Sequence, residues 1–399
     1  MAAAEAAPTL PATESAWRLG LTWYVLSSAV VVVGVVGAFP QFPDHPWYEF
    51  FARWDGTHYA RICREGYFFD PTRESSVAFL PLYPLAALPL IGLGLPVELA
   101  LTVVSNLAYA ASFVLLALYV RERWPDAVPG QVHATLIAFG FLPPSFYFRM
   151  AYSEALFVLC TLLLLLAIQR QYSVWTVALL AGLACGVRIV GVALLPVVLL
   201  YAWRQVERPW PFLWRALGLI PLSCLGLLGF MVYTGIALGE PFAFLKNIQH
   251  WAVADPERSK FISLLTLQPF WRNLDPSSPC YYAGQDASGY PWAGLMLGNP
   301  VWFGLAALLL LWGAYRRLLN PYETLLAAGL WLVPYITRCH DLCMGAAARY
   351  AAAIVPVYLL VGILCARVPT WTGFALVILA ASLLVAYSFR FALWGAWFF

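Results

Sequence analysis

Asp55 sits in Arg53-Trp54-Asp55-Gly56-Thr57-His58-Tyr59, the first polar segment after the first membrane-length apolar run. Asp55, His58, Tyr59 and Ile62 are spaced i, i+3, i+4, i+7, so a helix puts them on one face, flanked by Arg61 and Arg64. Pro46-Trp47-Tyr48 and Phe50-Phe51 come just before, and such aromatics suit the boundary between hydrocarbon and water. A carboxylate held there can accept a proton from a hydroxyl while a neighbouring cation steadies an anionic leaving group. The plainer account is an interfacial amphipathic helix whose charges face water.

Three other segments set charged groups among apolar neighbours. In Pro143-Pro144-Ser145-Phe146-Tyr147-Phe148-Arg149-Met150-Ala151-Tyr152-Ser153-Glu154, two prolines end one apolar run and a Ser/Glu pair opens the next. Glu154 falls in a first helical turn, where the dipole favours an anion, so capping is the ordinary account. An acid leading an unbroken apolar helix is nonetheless a functional candidate by default. Arg188 lies in Gly186-Val187-Arg188-Ile189-Val190-Gly191 with weakly polar residues on both sides. That is costly unless the guanidinium pairs with an anion or reaches a cavity. A lipid phosphate suits it, and so does an ion pair with Glu154. Arg349, beside Tyr350 and ahead of Pro356, either snorkels to headgroups or takes the phosphate. Phe244-Leu245-Lys246-Asn247-Ile248-Gln249-His250-Trp251 mixes polar and aromatic groups, as sugar-contacting surfaces do. The four segments together fit a reaction between a lipid-borne phosphoester and a hydroxyl acceptor.

The elements that must position these groups are membrane helices. Of 399 residues, 62% are hydrophobic and 11% charged, whereas soluble domains carry about a quarter charged residues. The chain therefore reads as an all-α polytopic membrane protein. Its net charge of +3 gives no ground for nucleic-acid binding, and its 18 Trp and 21 Tyr suit membrane interfaces. Apolar runs near 20–38, 98–120, 131–148, 152–169, 173–187, 189–203, 212–237, 300–315, 322–338, 350–366 and 370–390 predict about eleven spans. Several fall short of the roughly 20 residues needed to cross, which predicts tilts and broken helices. The 78–95 stretch, with Pro81, Pro84 and Pro89, is either a full span or a re-entrant hairpin. No basic region precedes the first run, so 19–39 is expected as a retained helix after a cytoplasmic tail, 1–18.

Arg121 and Arg123, Arg170, Arg204 and Arg208, and Arg316 and Arg317 stand at span ends in short loops. The positive-inside rule makes these ends cytoplasmic. The first loop 40–77, the long loop 239–299 and the 339–349 loop then lie on the opposite side. No repeat is visible, and 19–399 reads as a single transmembrane domain. Of the eight cysteines, Cys63, Cys280, Cys339 and Cys343 fall in polar loops. If those loops meet an oxidising compartment, one or two disulfides follow, and four cysteines allow three pairings. The Cys339-His340-Asp341-Leu342-Cys343 spacing matches no structural zinc pattern.

Several stretches resemble, in order and spacing, the GPI mannosyltransferase II (PIG-V)-like family and its bacterial relatives within the GT-C class. They are Arg53-Trp54-Asp55 with His58-Tyr59 and Gly66-Tyr67; Phe79-Leu80-Pro81-Leu82-Tyr83-Pro84; Ser105-Asn106-Leu107; Tyr152-Ser153-Glu154-Ala155-Leu156-Phe157; Gly186-Val187-Arg188 with Gly191; and Arg349-Tyr350 with Pro356. The resemblance implies a GT-C fold whose first extracytoplasmic loop carries interfacial helices and the catalytic acid, here Asp55. It implies a polyprenyl- or dolichyl-phosphate sugar as donor, mannose being the family's usual sugar, and transfer with inversion and no nucleotide-sugar site. The Ala-rich, Arg-over-Lys composition looks bacterial, which places the site on the periplasmic face of the inner membrane (the lumenal face of the ER in a eukaryote). In a bacterium the acceptor is then a lipid glycan, an envelope polysaccharide or a protein.

On this reading Asp55 is the base or orients the acceptor. Arg188 and Arg349, with Arg61 and Arg64 as further candidates, hold the donor phosphate, and Arg53 is a further residue expected at substrate or donor. Trp54, His58, Tyr59, Tyr152 and Glu154 contact substrate or orient an arginine. No cofactor or metal is required; the expected partners are the lipid-linked donor, the acceptor and membrane lipids. The rival classes are a secondary transporter or lipid flippase, which would place ionisable groups at mid-membrane on repeated, broken helices, and a structural subunit of an envelope complex.

Overall fold

The computed structural model describes residues 15–126, 130–206, 209–252, 259–283 and 294–393. Among these, every regular element is helical. Most of the predicted tail, Arg208 and parts of the 239–299 loop lie outside them.

The helices are α1 (Ala16–Val36), α2 (Asp55–Glu65), α3 (Leu82–Gly92), α4 (Val97–Arg123), α5 (Gln131–Phe141), α6 (Glu154–Gln169), α7 (Val174–Val187), α8 (Leu195–Trp203), α9 (Pro209–Ser223), α10 (Leu225–Leu238), α11 (Ala243–Asn247), α12 (Lys260–Leu265), α13 (Gln268–Arg272), α14 (Leu295–Tyr315), α15 (Pro321–Pro334), α16 (Ala347–Ala352), α17 (Val355–Cys365) and α18 (Thr370–Ala392). Among the described residues, four stretches are long and apolar enough to cross a membrane: Ala16–Gln41, Val97–Arg123, Met296–Tyr315 and Thr370–Ala392. Two bent pairs raise that number to six if each forms one span. Five shorter apolar helices accompany them. The expected breaks therefore occur, and most have a proline at hand. Pro143–Arg149 meets α6 at 98°, and α9 meets α10 at 59° just past Pro221.

The 78–95 stretch forms only the eleven-residue α3, about 16 Å long, which is too short to cross alone. The 350–366 run is likewise divided into α16 and α17.

α6 is apolar nearly all round, and accordingly it is buried, packed against α4 and α7. α1 packs against α4 and α18. Close approach is allowed by glycine at one notable place. A Cβ on Gly226 of α10 would stand 2.3 Å from the Gly186 Cα of α7, well inside contact distance.

The 3-10 turn Pro143–Arg149 is buried along its whole length. Arg149 anchors it, donating to Ser28 Oγ at 2.9 Å, Ser27 Oγ at 2.5 Å and the Ser145 carbonyl at 3.2 Å. Its guanidinium also lies 4.7 Å from the Tyr109 ring centre. Asn106 Nδ2 donates to the Arg149 carbonyl at 3.0 Å. The turn is thus tied to both α1 and α4, and it delivers Tyr152, Ser153 and Glu154 at a fixed place.

Candidate active site

Asp55 is the first residue of α2, where the positive end of the helix dipole favours a carboxylate. It is reached through Trp54, whose φ of +55° is unusual for any side-chain-bearing residue. Such a conformation persists only where its surroundings enforce it. Here the Phe51 carbonyl accepts from Ala151 N at 2.8 Å, and Asp55 N donates to the Tyr152 hydroxyl at 3.3 Å. Gly56 fits closely between neighbours, since a Cβ there would meet the Ala52 and Ala151 methyls at 3.3 and 3.4 Å. The first loop is therefore locked onto the turn that carries Glu154.

Arg349 enters from α16, after Ala346 in a left-handed conformation with φ +61°. Its Nη1 donates to Asp55 Oδ2, and its Nε lies 3.0 Å from Glu154 Oε1. Arg188, just past the end of α7, donates from Nη1 to the same Glu154 oxygen and to Ser153 Oγ at 3.1 Å. Asp55, Arg349, Glu154 and Arg188 thus form a chain of alternating charge. Tyr59 donates to Ser153 Oγ at 2.9 Å, and Arg349 lies 5.3 Å from the Tyr152 ring centre. Glu154 is 1% exposed and Asp55 26%, so Glu154 is the sealed inner anchor and Asp55 the member that reaches open space. Burial works to raise the Asp55 carboxyl; Arg349, His58 and Arg188 oppose it, and together they hold it below the usual carboxylate range.

Asp55 opens on a cavity of about 560 Å³ that is also lined by Arg188, Arg338 and Arg349. Part of its lining is aromatic. The His58 and Phe79 rings stack with centres 4.9 Å apart, and Trp251 meets them edge-on at 5.4 and 5.8 Å. Trp251 Nε1 donates to Asn247 Oδ1 at 2.9 Å; that oxygen also accepts from Ser75 N at 3.1 Å, and Asn247 Nδ2 donates to the Arg73 carbonyl at 2.9 Å. One buried amide thereby joins the long loop to the first loop. Cys280 and Cys343 form a disulfide, one of the expected pairings, and it ties the long loop to the 339–349 segment. Cys63 and Cys339 are free thiols.

Of the residues singled out in the sequence, Trp54, Asp55, His58, Tyr59, Arg188 and Arg349 line the cavity, with Tyr152 and Glu154 directly behind them. Arg53, Arg61 and Arg64 do not line it, contrary to their expected place at the donor. Arg53 is buried with its guanidinium 4.9 Å from the Phe50 ring centre. Arg61 pairs with Glu65 at 2.7 Å and Arg64 with Glu98 at 2.5 Å on an exposed face of α2. The reason is periodicity: positions 61 and 64 flank the stripe of Asp55 and point away from it. Arg338 was missed, whereas Trp251 belongs to the 244–251 segment read as a sugar-contacting kind of surface and Phe79 to a stretch that carries the family resemblance. Arg338 ends the apolar run 322–338, so it passes for a span boundary. Its place just ahead of a polar outer loop was the available signal. Among the described residues, no three His, Cys, Asp or Glu side chains are grouped to hold a metal ion.

The family model described as mannosyltransferase (PIG-V) matches residues 32–236, which contain Asp55, Glu154 and Arg188. Among solved structures, the chain is similar to the Archaeoglobus fulgidus oligosaccharyltransferase tethered with an acceptor peptide containing the NVT sequon via a disulfide bond, at 13% identity and a TM-score of 0.40. That alignment covers 93% of this chain and 55% of the other, so the chain spans little more than half the length of that protein. No curated protein matches the sequence.

Proposed function

Because the chain belongs to the mannosyltransferase (PIG-V) family, and is on that ground a membrane glycosyltransferase, we propose that its cavity moves a hexose, mannose foremost, from a polyprenyl-phosphate carrier to a hydroxyl acceptor with inversion. The observation that carries this reading is the Asp55–Arg349 pair at the cavity, one group able to take a proton and the other to hold an anion. The acceptor hydroxyl gives its proton to Asp55 as its oxygen attacks the anomeric carbon. The bond from that carbon to the phosphate oxygen breaks, and polyprenyl phosphate leaves with the electron pair. A single displacement of this kind inverts the centre.

Arg349 links the two halves of the step. While it is bound to Asp55 it keeps the carboxylate ionised but a weak base. A donor phosphate competes for the same guanidinium. As Arg349 is drawn toward the phosphate, the attraction that depresses Asp55 weakens and its basicity rises, which favours proton transfer. Donor binding thereby prepares the base. Glu154 keeps Arg349 and Arg188 in place throughout. The cluster of His58, Phe79 and Trp251 rings offers aromatic contact to a sugar ring.

A GT-C arrangement with the site on the extracytoplasmic side is part of this reading. Residues of the first, long and 339–349 loops line one cavity, and by the positive-inside rule Arg121 and Arg123 at the end of α4, with Arg316 and Arg317 just past α14, are read as the cytoplasmic boundary. A disulfide between two of the converging loops suits an oxidising compartment. The test is transfer by purified Asp55→Asn from a panel of radiolabelled polyprenyl-phosphate sugars. A fall of about 10²–10⁴-fold is expected for a lost general base, in a variant that still inserts and folds. Full activity in that variant would falsify the base assignment, and no transfer by the wild type from any such sugar would remove the donor class.

A further inference from the structure

Arg338 is a cavity-lining cation that the alternating charge chain does not use. Arg188 and Arg349 already face the carboxylates of Glu154 and Asp55. A phosphodiester entering that neutral constellation has no net positive charge to meet there. Arg338 Nη1, in contrast, is buried without a hydrogen-bond partner, and among the described residues no carboxylate lies within ion-pair range of it. Asp341, three residues on, is taken by Lys260 at 2.8 Å. A buried donor left unpaired is unfavourable and calls for a partner.

The backbone around Arg338 is special. Tyr335–Cys339 is a π-helical turn at the end of α15, a form that recurs at functional sites. It directs Arg338 to the cavity together with Pro334 and Thr337. The turn is held from outside by α12: the Tyr335 hydroxyl donates to the Leu264 carbonyl at 2.7 Å. α12 itself shows Phe261, Ile262 and Leu265 outward, each more than half exposed. A short helix with such a face lies in lipid at the interface. Arg338 therefore lines the cavity from a turn whose Tyr335 is bonded to α12, the helix that carries this exposed apolar strip.

We propose that Arg338 is the primary anchor for the phosphate of an isoprenoid-phosphate ligand, whose chain runs out of the cavity past α12. This rests on the donor class proposed above and deepens it by assigning the entry side and the first phosphate contact. Arg349 then receives the phosphate second, at the reacting centre. The planar guanidinium fork suits two phosphate oxygens at once, so lysine at 338 restores charge but not the fork.

Binding to the full-length protein in nanodiscs tests this, with farnesyl phosphate, farnesol and inorganic phosphate as probes. The wild type is expected to bind farnesyl phosphate and to ignore farnesol. Arg338→Gln weakens farnesyl phosphate at least about tenfold, the scale of a lost charge-assisted hydrogen bond, and Arg338→Lys recovers part of it. In the transfer assay, Arg338→Gln raises the donor KM more than it lowers kcat. Unchanged farnesyl phosphate affinity in Arg338→Gln, with a wild type that does bind, overturns the assignment and leaves the donor class standing. A wild type that fails to bind farnesyl phosphate removes both. Inorganic phosphate binding as tightly as farnesyl phosphate, and lost in the same variant, makes the site one for free phosphate and overturns the lipid assignment. If the glutamine variant fails to fold, a farnesyl phosphate affinity in Arg338→Lys below that of the wild type supports the assignment, and a wild-type affinity in it overturns the assignment.

Discussion

At the scale of single residues, the site is a set of charges that depend on each other more than on solvent. Glu154 is 1% exposed and holds two guanidiniums. Replacing it by Gln leaves Arg188 and Arg349 under-neutralised in a poorly solvated place. A loss of about 3–5 kcal/mol is expected, as for other broken buried pairs, read as a lowered unfolding midpoint together with reduced transfer. Wild-type stability in Glu154→Gln would show that the charge chain is not formed. The pH dependence follows from Asp55, whose folded pKa is depressed. A depressed carboxyl gives its full contribution above the unfolded value of about 3.9 and loses it only as pH falls through the folded value. The acid limb of kcat/KM should accordingly lie below about pH 4. Arg349→Met removes the strongest opposing charge, so burial prevails and the limb should move upward. A limb that stays in place would mean another group is being titrated.

Between residues and the whole stands the element, and here short irregular pieces do the positioning. The long helices supply walls, whereas the charged groups of the site ride on α2, on the first turn of α6, on the step after α7 and on α16. The step after α7 depends on Gly191. A Cβ there would come within 2.6 Å of Cys185 N and 2.7 Å of the Ala184 carbonyl carbon, backbone that cannot move aside cheaply. Gly191→Ala should push the 189–194 turn off α7, shift Arg188, and cut activity by tenfold or more while the protein still inserts; wild-type rates in that variant would contradict this role. Part of this was legible in the sequence: an uncovered arginine bracketed by glycines marks a place where chain must approach chain. The partner of Arg188 was not, because Glu154 and an incoming phosphate are equally good anions on paper. Only the packing of α6 beside α7 puts the carboxylate within reach.

For the molecule as a whole, the cavity exists because loops far apart in the chain meet at one end of the helices. The Cys280–Cys343 bond, with a sequence separation of 63, closes one of these meetings. Breaking it with Cys280→Ser or with reductant should lower stability by about 2–4 kcal/mol through the freed unfolded chain, measured as a shifted unfolding midpoint and a changed mobility on a non-reducing gel. Equal midpoints with and without reductant would argue against the bond. Composition by itself determined that this chain lives in a membrane, since so few charges among so many apolar side chains leave no polar shell for a soluble surface. Local pattern determined which polar segments break the apolar runs, and the periodicity of α2 put Asp55, His58 and Tyr59 on one face. Tertiary structure alone decided which arginines meet an acid at the cavity, because partners such as Asp55 and Arg349 are 294 positions apart. It likewise turned the Asp55 face of α2 to the cavity, with Arg61 and Arg64 off that face by periodicity, and left Arg338 facing the cavity. A residue's charge and approximate depth can be read along the chain, but pairing is set by distance in space, which local periodicity does not carry beyond its own helix.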